Sequence, residues 1–423
     1  MKKLAQIVIA ISLLATLAIP VQAFTSLHIF GDGISTTTNN ATAGQYYYGL
    51  RESNGRVWVE VLAQRLGLGA NSTNNVNWSN SANNWSYFGQ YSQNLVTNIN
   101  YFAPPQDTKT ALFVVWVNCA DFVADMGNIY LEGYYTNNAM WNAAVTQSLN
   151  NQLSIINSLY AKGVRTLVMP NAVDISEIPQ YDGIALSRPA DRIFIRNQVI
   201  SFNAQFAAML NKAQASLPGL TIYEPDFFGL LDNTLTNASA YGLTNALYNG
   251  VSIDAYSDPN ITTLALNGQG NNYIFWCKTA PTAKLNEIMA DTTMQMIAPA
   301  QISSITINGN IAGPTVNQLA IANIPVGLNG FVEGSTNLGQ VPMATTWNWT
   351  TVANVNSSST SQLVSFPAPP LLPYGEAGGP PPNLGGSSTQ SDSSGNGNIG
   401  GVNATPGIME TYRLRFPMAW NWP

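Results

Sequence analysis

The chain has 423 residues, of which 9% are charged, and a formal net charge of −6. That length accommodates two domains. An acidic balance with no basic cluster argues against nucleic acid partners and against charge-driven binding to anionic membranes, and a count of one histidine, His28, is too low for most hydrolytic triads and catalytic zinc sites.

The first 23 residues have the pattern of a secretory signal peptide. Lys2 and Lys3 form a positive start, Ile7 to Ile19 an apolar run, and Val21-Gln22-Ala23 a small-residue cleavage site. The run is short for a membrane span and has no basic stop-transfer flank, and no later stretch is apolar for long enough to cross a bilayer. The expectation is a secreted, cell-surface or periplasmic protein cleaved after Ala23.

From residue 24 to 298 apolar runs alternate with helical patterns. Leu27-His28-Ile29-Phe30 reads as a buried strand entering a glycine turn. Val57, Trp58, Val61, Leu62 and Leu66 recur at helical spacing, with Gly67 as the stop. Ala111 to Val117 is a continuous apolar, β-branched run suited to a buried parallel strand. Then follow a helix over 142–159, a strand over 165–169, a helix over 202–215, a strand over 220–223 and a last helix over 281–296. The Asn-rich stretch over 71–94 reads as loops. This alternation predicts an α/β domain with a parallel sheet covered on both faces, and ligands at the carboxyl ends of its strands.

Beyond residue 298 helical periodicity disappears. Residues 301–355 are rich in β-branched residues, with turn signals at Asn308-Gly309 and Asn329-Gly330, and predict a small antiparallel β-sandwich. Pro, Gly and Ser dominate 367–407, which reads as an exposed loop. Tyr412-Arg413-Leu414-Arg415-Phe416 alternates again, as a closing strand. The whole segment 299–423 resembles the β-sandwich modules that end many exported bacterial proteins, and carries no evident chemistry.

The first segment holds a series of short motifs in order. They are Phe30-Gly31-Asp32-Gly33-Ile34-Ser35, Gly55-Arg56-Val57-Trp58-Val59-Glu60, Asn84-Trp85-Ser86 through Gly89, Val117-Asn118-Cys119-Ala120-Asp121, Asp226-Phe227-Phe228 and Phe275-Trp276-Cys277-Lys278-Thr279-Ala280-Pro281. Their order and spacing resemble the GDSL, or SGNH, ester hydrolases over essentially all of 27–298. The resemblance implies a three-layer α/β/α fold and a serine–histidine–aspartate hydrolase of the esterase or lipase class, working without a cofactor.

The residues that the resemblance makes catalytic are absent. Gly33 stands at the nucleophile position, Ala280 at the base, Cys277 at the acid that orients it, and Ala120 at the asparagine of the oxyanion hole. Gly89 remains as a backbone donor, and Asp32 and Asp121 match the flanking acids. Losing a triad leaves about 10³–10⁴-fold over water, and one lost oxyanion donor removes about 10²–10³-fold more.

Two readings follow: a non-catalytic exported protein whose cleft binds a carbohydrate, lipid or acyl ligand, or a working ester hydrolase with an unrecognised nucleophile. The sequence offers weak substitutes. Ser35 reads as a turn or capping serine, His28 as a packed strand residue, Cys277 as a thiol with no histidine beside it and only Lys278 next in sequence, and Asp254 and Asp258 as loop acids rather than metal ligands. Under the resemblance the Cys119 and Cys277 loops converge on one cleft, which predicts a disulfide across it; the other reading is two separate buried thiols.

Overall fold

In the computed structural model, residues 24–37, 46–68, 83–308, 316–335, 349–367 and 411–416 are described. The expected signal peptide at 1–23 and, apart from residue 367, the expected Pro/Gly/Ser-rich loop at 367–407 lie outside the described residues. The chain divides into two compact units near residue 300.

The first unit is built on a parallel sheet in the order β1 (Leu27–Gly31), β2 (Leu112–Trp116), β3 (Thr166–Val168) and β4 (Thr221–Tyr223). Every residue of β1 and β2 is buried, because helices cover both faces and the strands need no polar side. The flanking helices are α1 (Trp58–Arg65), α2 (Ser92–Tyr101), α3 (Asn118–Asp125), α4 (Asn138–Ala161), α5 (Asp182–Ser187), α6 (Pro189–Ser216), α7 (Phe227–Asn237) and α8 (Ala283–Ile297). A π-helical segment, Met126–Tyr134, continues α3.

Asn84 forms a parallel bridge with Ile29 on the edge of β1 away from β2. The Ile29 N–H donates to the Asn83 carbonyl (2.8 Å), and Trp85 N–H returns a bond to the Ile29 carbonyl (2.8 Å). The chain therefore leaves β1 toward one side and comes back as β2 on the other. That reversal opens a crevice at the carboxyl ends of β1 and β2, where parallel sheets place their ligands. Beneath it Trp58, Trp116 and Phe227 pack edge to face, with centroids 5.1–5.7 Å apart. All three are fully buried and fix α1 and α7 against β2.

The second unit has two antiparallel sheets. One has the order β9 (Ser361–Pro367), β6 (Val316–Ala322), β5 (Gln301–Asn308); the other has β8 (Thr350–Val355), β7 (Gly330–Ser335), β10 (Thr411–Arg415). They are joined face to face where Phe366 packs on Tyr412 (5.3 Å) and Asn317 Nδ2 donates to the Tyr412 hydroxyl (3.1 Å).

Candidate functional site

The crevice begins where β1 ends. Gly31 is required there, since a Cβ would lie 2.8 Å from the Ser35 Cβ and 2.9 Å from the Ser86 Oγ. The chain then turns: Ser35 N–H donates to the Asp32 carbonyl (3.1 Å) and Thr36 N–H to the Gly33 carbonyl (3.3 Å). The Asp32 carboxylate accepts from the Ile34 amide (3.0 Å) and from the Ala120 amide, so one acid ties the β1 turn to the start of α3. Burial pushes the Asp32 carboxyl up to about 7; the Ile34 amide opposes this, Glu52 and Asp121 add to it, and the Ala120 amide opposes it.

Gly33 is buried, and the space its side chain would take is filled. A Cβ on Gly33 would lie 3.0 Å from the Phe88 ring and 3.1 Å from Glu52 Oε2. Neither neighbour is evident from the motifs. Phe88 reaches Gly33 from the segment after the Asn84 bridge, with 59% of its surface exposed, and Glu52 from the segment before α1. Burial raises the Glu52 carboxyl above its ordinary range. The one signal in the sequence is that Phe88 precedes Gly89 in the motif that runs from Asn84 to Gly89.

The remaining family positions are chemically silent. Ala120 is half-buried on the first turn of α3, and Ala280 is buried in the short strand Ala280–Pro281, which pairs antiparallel with Phe275–Cys277. Gly89 has a φ of +76° with open space around its α-carbon. Asp121 serves the scaffold: its carboxylate accepts from the Ser92 amide at the start of α2 (2.8 Å) and from the Ser148 hydroxyl of α4.

The expected disulfide is not formed, and both cysteines are free thiols. Cys119 is buried at the start of α3 and accepts from the Val173 amide (3.5 Å), while the Cys277 thiol lies 4.0 Å from the Glu52 carbonyl. Each sulfur thus has its own polar neighbour. Burial raises both thiols, Cys277 to about 12, with Glu52 adding to the shift and the Thr279 and Ala280 amides opposing it. A thiol held so high carries almost no thiolate at neutral pH.

The other substitutes are likewise engaged in the fold. Ser35 is fully buried, and its Oγ accepts from Trp58 Nε1 (3.1 Å). His28 stacks on Phe113 (4.8 Å, 18°) and meets the Ser26 hydroxyl through Nε2 (3.1 Å). It lies about 10 Å back along β1 from Gly31. Asp254 accepts from the Ser257 amide (2.9 Å), and Asp258 from the Asn260 amide (2.8 Å) and the Tyr273 hydroxyl (2.9 Å). Among the described residues no group of three His, Cys, Asp or Glu could hold a metal ion, and no helix is long and apolar enough to cross a membrane.

No protein-family model matches the chain. It is 26% identical over 329 residues to GDSL esterase/lipase 7 of Arabidopsis thaliana, covering 64% of this chain and 87% of that protein. The chain is thus similar to a plant GDSL esterase/lipase over most of that protein's length. Two further GDSL esterases/lipases of the same plant are 24% identical to it, over 315 and 317 residues, covering 84% and 80% of their own lengths. The parallel sheet with helices on both faces is the α/β fold expected of such a relative.

Proposed function

We propose that this GDSL relative is an exported, non-catalytic protein that retains the hydrolase cleft as a binding site. One observation carries the reading: at the nucleophile position, Gly33 packs under the Phe88 ring and the Glu52 carboxylate. A missing serine alone removes the nucleophile. A carboxylate in its place also opposes the negative charge that an ester's tetrahedral intermediate develops. Ala280 and the remote His28 leave no imidazole at the base position. The aromatic side chains near the crevice suit a carbohydrate or acyl ligand, and the start of the sequence suits export.

The experiment is hydrolysis of short- and medium-chain p-nitrophenyl esters by purified mature protein, with fluorophosphonate labelling beside it. The expected result is a rate equal to the buffer blank and no labelled serine. Turnover well above blank would instead establish the other reading, an active ester hydrolase, which draws on the names of the plant relatives. Amino-terminal sequencing of protein recovered outside the expressing cell tests export, with Phe24 expected as the first residue.

A further inference from the structure

An ester hydrolase must be electropositive where its oxyanion forms, and this cleft has the opposite sign. Glu52 Oε2 stands against Gly33. Asp32 lies directly before Gly33, and the charged side chains that act on it are Glu52 and Asp121, both acidic. Beside them is an aromatic group. Tyr47 and Tyr256 are nearly parallel (6.0 Å, 21°), and Tyr46 meets Tyr256 edge-on (6.0 Å, 82°). Burial opposes ionisation of the Tyr47 phenol, and Cys277, Tyr256, Glu52 and Asp254 add to it. Lys278 partly offsets Asp254. Tyr256 is half exposed, so this wall is accessible.

A second feature adjoins the first along the chain. A small apolar cavity of about 40 Å³ is lined by Ile34, Trp116, Phe227, Phe275, Thr279 and Pro281 among others. Ile34 follows Gly33, and Thr279 lies between Cys277 and Ala280. Aromatic faces and a partly dehydrated carboxylate attract weakly hydrated organic cations. An apolar cavity takes an aliphatic chain.

We infer that the cleft binds an aliphatic ammonium ligand, its cationic head against Glu52, Tyr47 and Tyr256 and its alkyl chain in the cavity beside Ile34. This inference rests on the non-catalytic reading, and it names a ligand of opposite charge to the carboxylate product of an esterase.

Titration calorimetry on the mature protein tests it with four probes: n-butyltrimethylammonium, tetramethylammonium, 1-butanol and butyrate. Butyltrimethylammonium is expected to bind, tetramethylammonium about 10-fold more weakly for want of the chain, and butyrate not at all. Glu52→Gln and Tyr256→Ala should each weaken the cation by about 10-fold, with unchanged melting curves showing that the fold is kept. Butyrate binding as well as the cation would overturn the inference in favour of an acyl-anion cleft. Butanol matching the cation would reduce the site to an apolar hole, and no binding by any probe, or no effect of Glu52→Gln, would also overturn it. Ester turnover is a separate readout, so failure of the non-catalytic reading is distinguishable from failure of this one.

Discussion

At the scale of single residues, a side chain at Gly33 would press on its neighbours. A β-carbon there meets Phe88 at 3.0 Å and Glu52 at 3.1 Å, tighter than ordinary contact. Restoring the family residues alone therefore leaves the new serine crowded and facing a carboxylate. The expected outcome is that Gly33→Ser, Ala120→Asn, Cys277→Asp and Ala280→His together give little p-nitrophenyl butyrate hydrolysis. Adding Phe88→Gly and Glu52→Ala should raise the rate by about 10²-fold, the worth of a restored oxyanion environment. Equal rates from the two variants would show that Phe88 and Glu52 do not obstruct the site. The motifs reveal Gly33, Ala120, Cys277 and Ala280, because each interrupts a short pattern. Phe88 and Glu52 are not legible there, since only the folding of two separate segments brings them to Gly33. The disulfide expectation failed for the same reason: convergence of two loops does not determine where their side chains end.

At the scale of elements, the crevice depends on how α1 and α7 begin. The Arg51 guanidinium bonds the Glu60 carboxylate through Nε (3.0 Å) and Nη2 (2.5 Å), and Glu60 reaches back to the Val57 amide (2.9 Å). Both charged side chains are 1% exposed. Arg51→Met should cost about 3–5 kcal/mol by leaving a buried carboxylate uncompensated, read as a shift of the urea midpoint. The Asp226 carboxylate caps α7 by accepting from the Gly229 amide (2.9 Å) and also holds Asn171 Nδ2 (2.8 Å). Asp226→Ala should cost about 1–2 kcal/mol by the same measurement. The long strands and helices were legible because apolar spacing repeats over many residues. α6 begins well before the 202–215 helix expected for it. The π-helical segment after α3 carries a glycine at φ +89° and was invisible to a 3.6-residue period.

At the scale of the whole molecule, the first unit holds four acids with raised carboxyls, of which Asp32 is buried and Asp125, Asp182 and Glu224 are half-buried. Asp32, Asp125, Asp182 and Glu224 are each pushed up to about 7, by burial first. A carboxyl whose folded value is raised stabilises the fold below its unfolded value, near 4. That contribution is lost as pH climbs through about 7. His28 works the other way, because burial lowers it and acid must charge it. Four raised carboxyls against one lowered imidazole predict a melting temperature that rises from pH 8 to pH 6. Asp32→Asn should flatten the profile, and a melting temperature that falls over that interval would contradict this account. The α/β class was legible at this scale from strands alternating with helices, and the second unit's antiparallel sheets from β-branched runs; of the two Asn-Gly pairs, Gly309 lies outside the described residues, and Asn329-Gly330 leads into a strand after a turn at Val326-Gly327. The raised carboxyls were not legible, because an aspartate's sequence neighbours say nothing of its depth.

The lone histidine, unsuited to catalysis, gives the molecule a built-in reporter. His28 is the one imidazole in the chain. It stacks on Phe113 in the strand next door, at the end of β1 opposite the cleft. In a proton spectrum it contributes one pair of ring signals, moved by the phenyl ring current, in a window that no other side chain of that type crowds. Those signals report the pairing of β1 with β2 without any label.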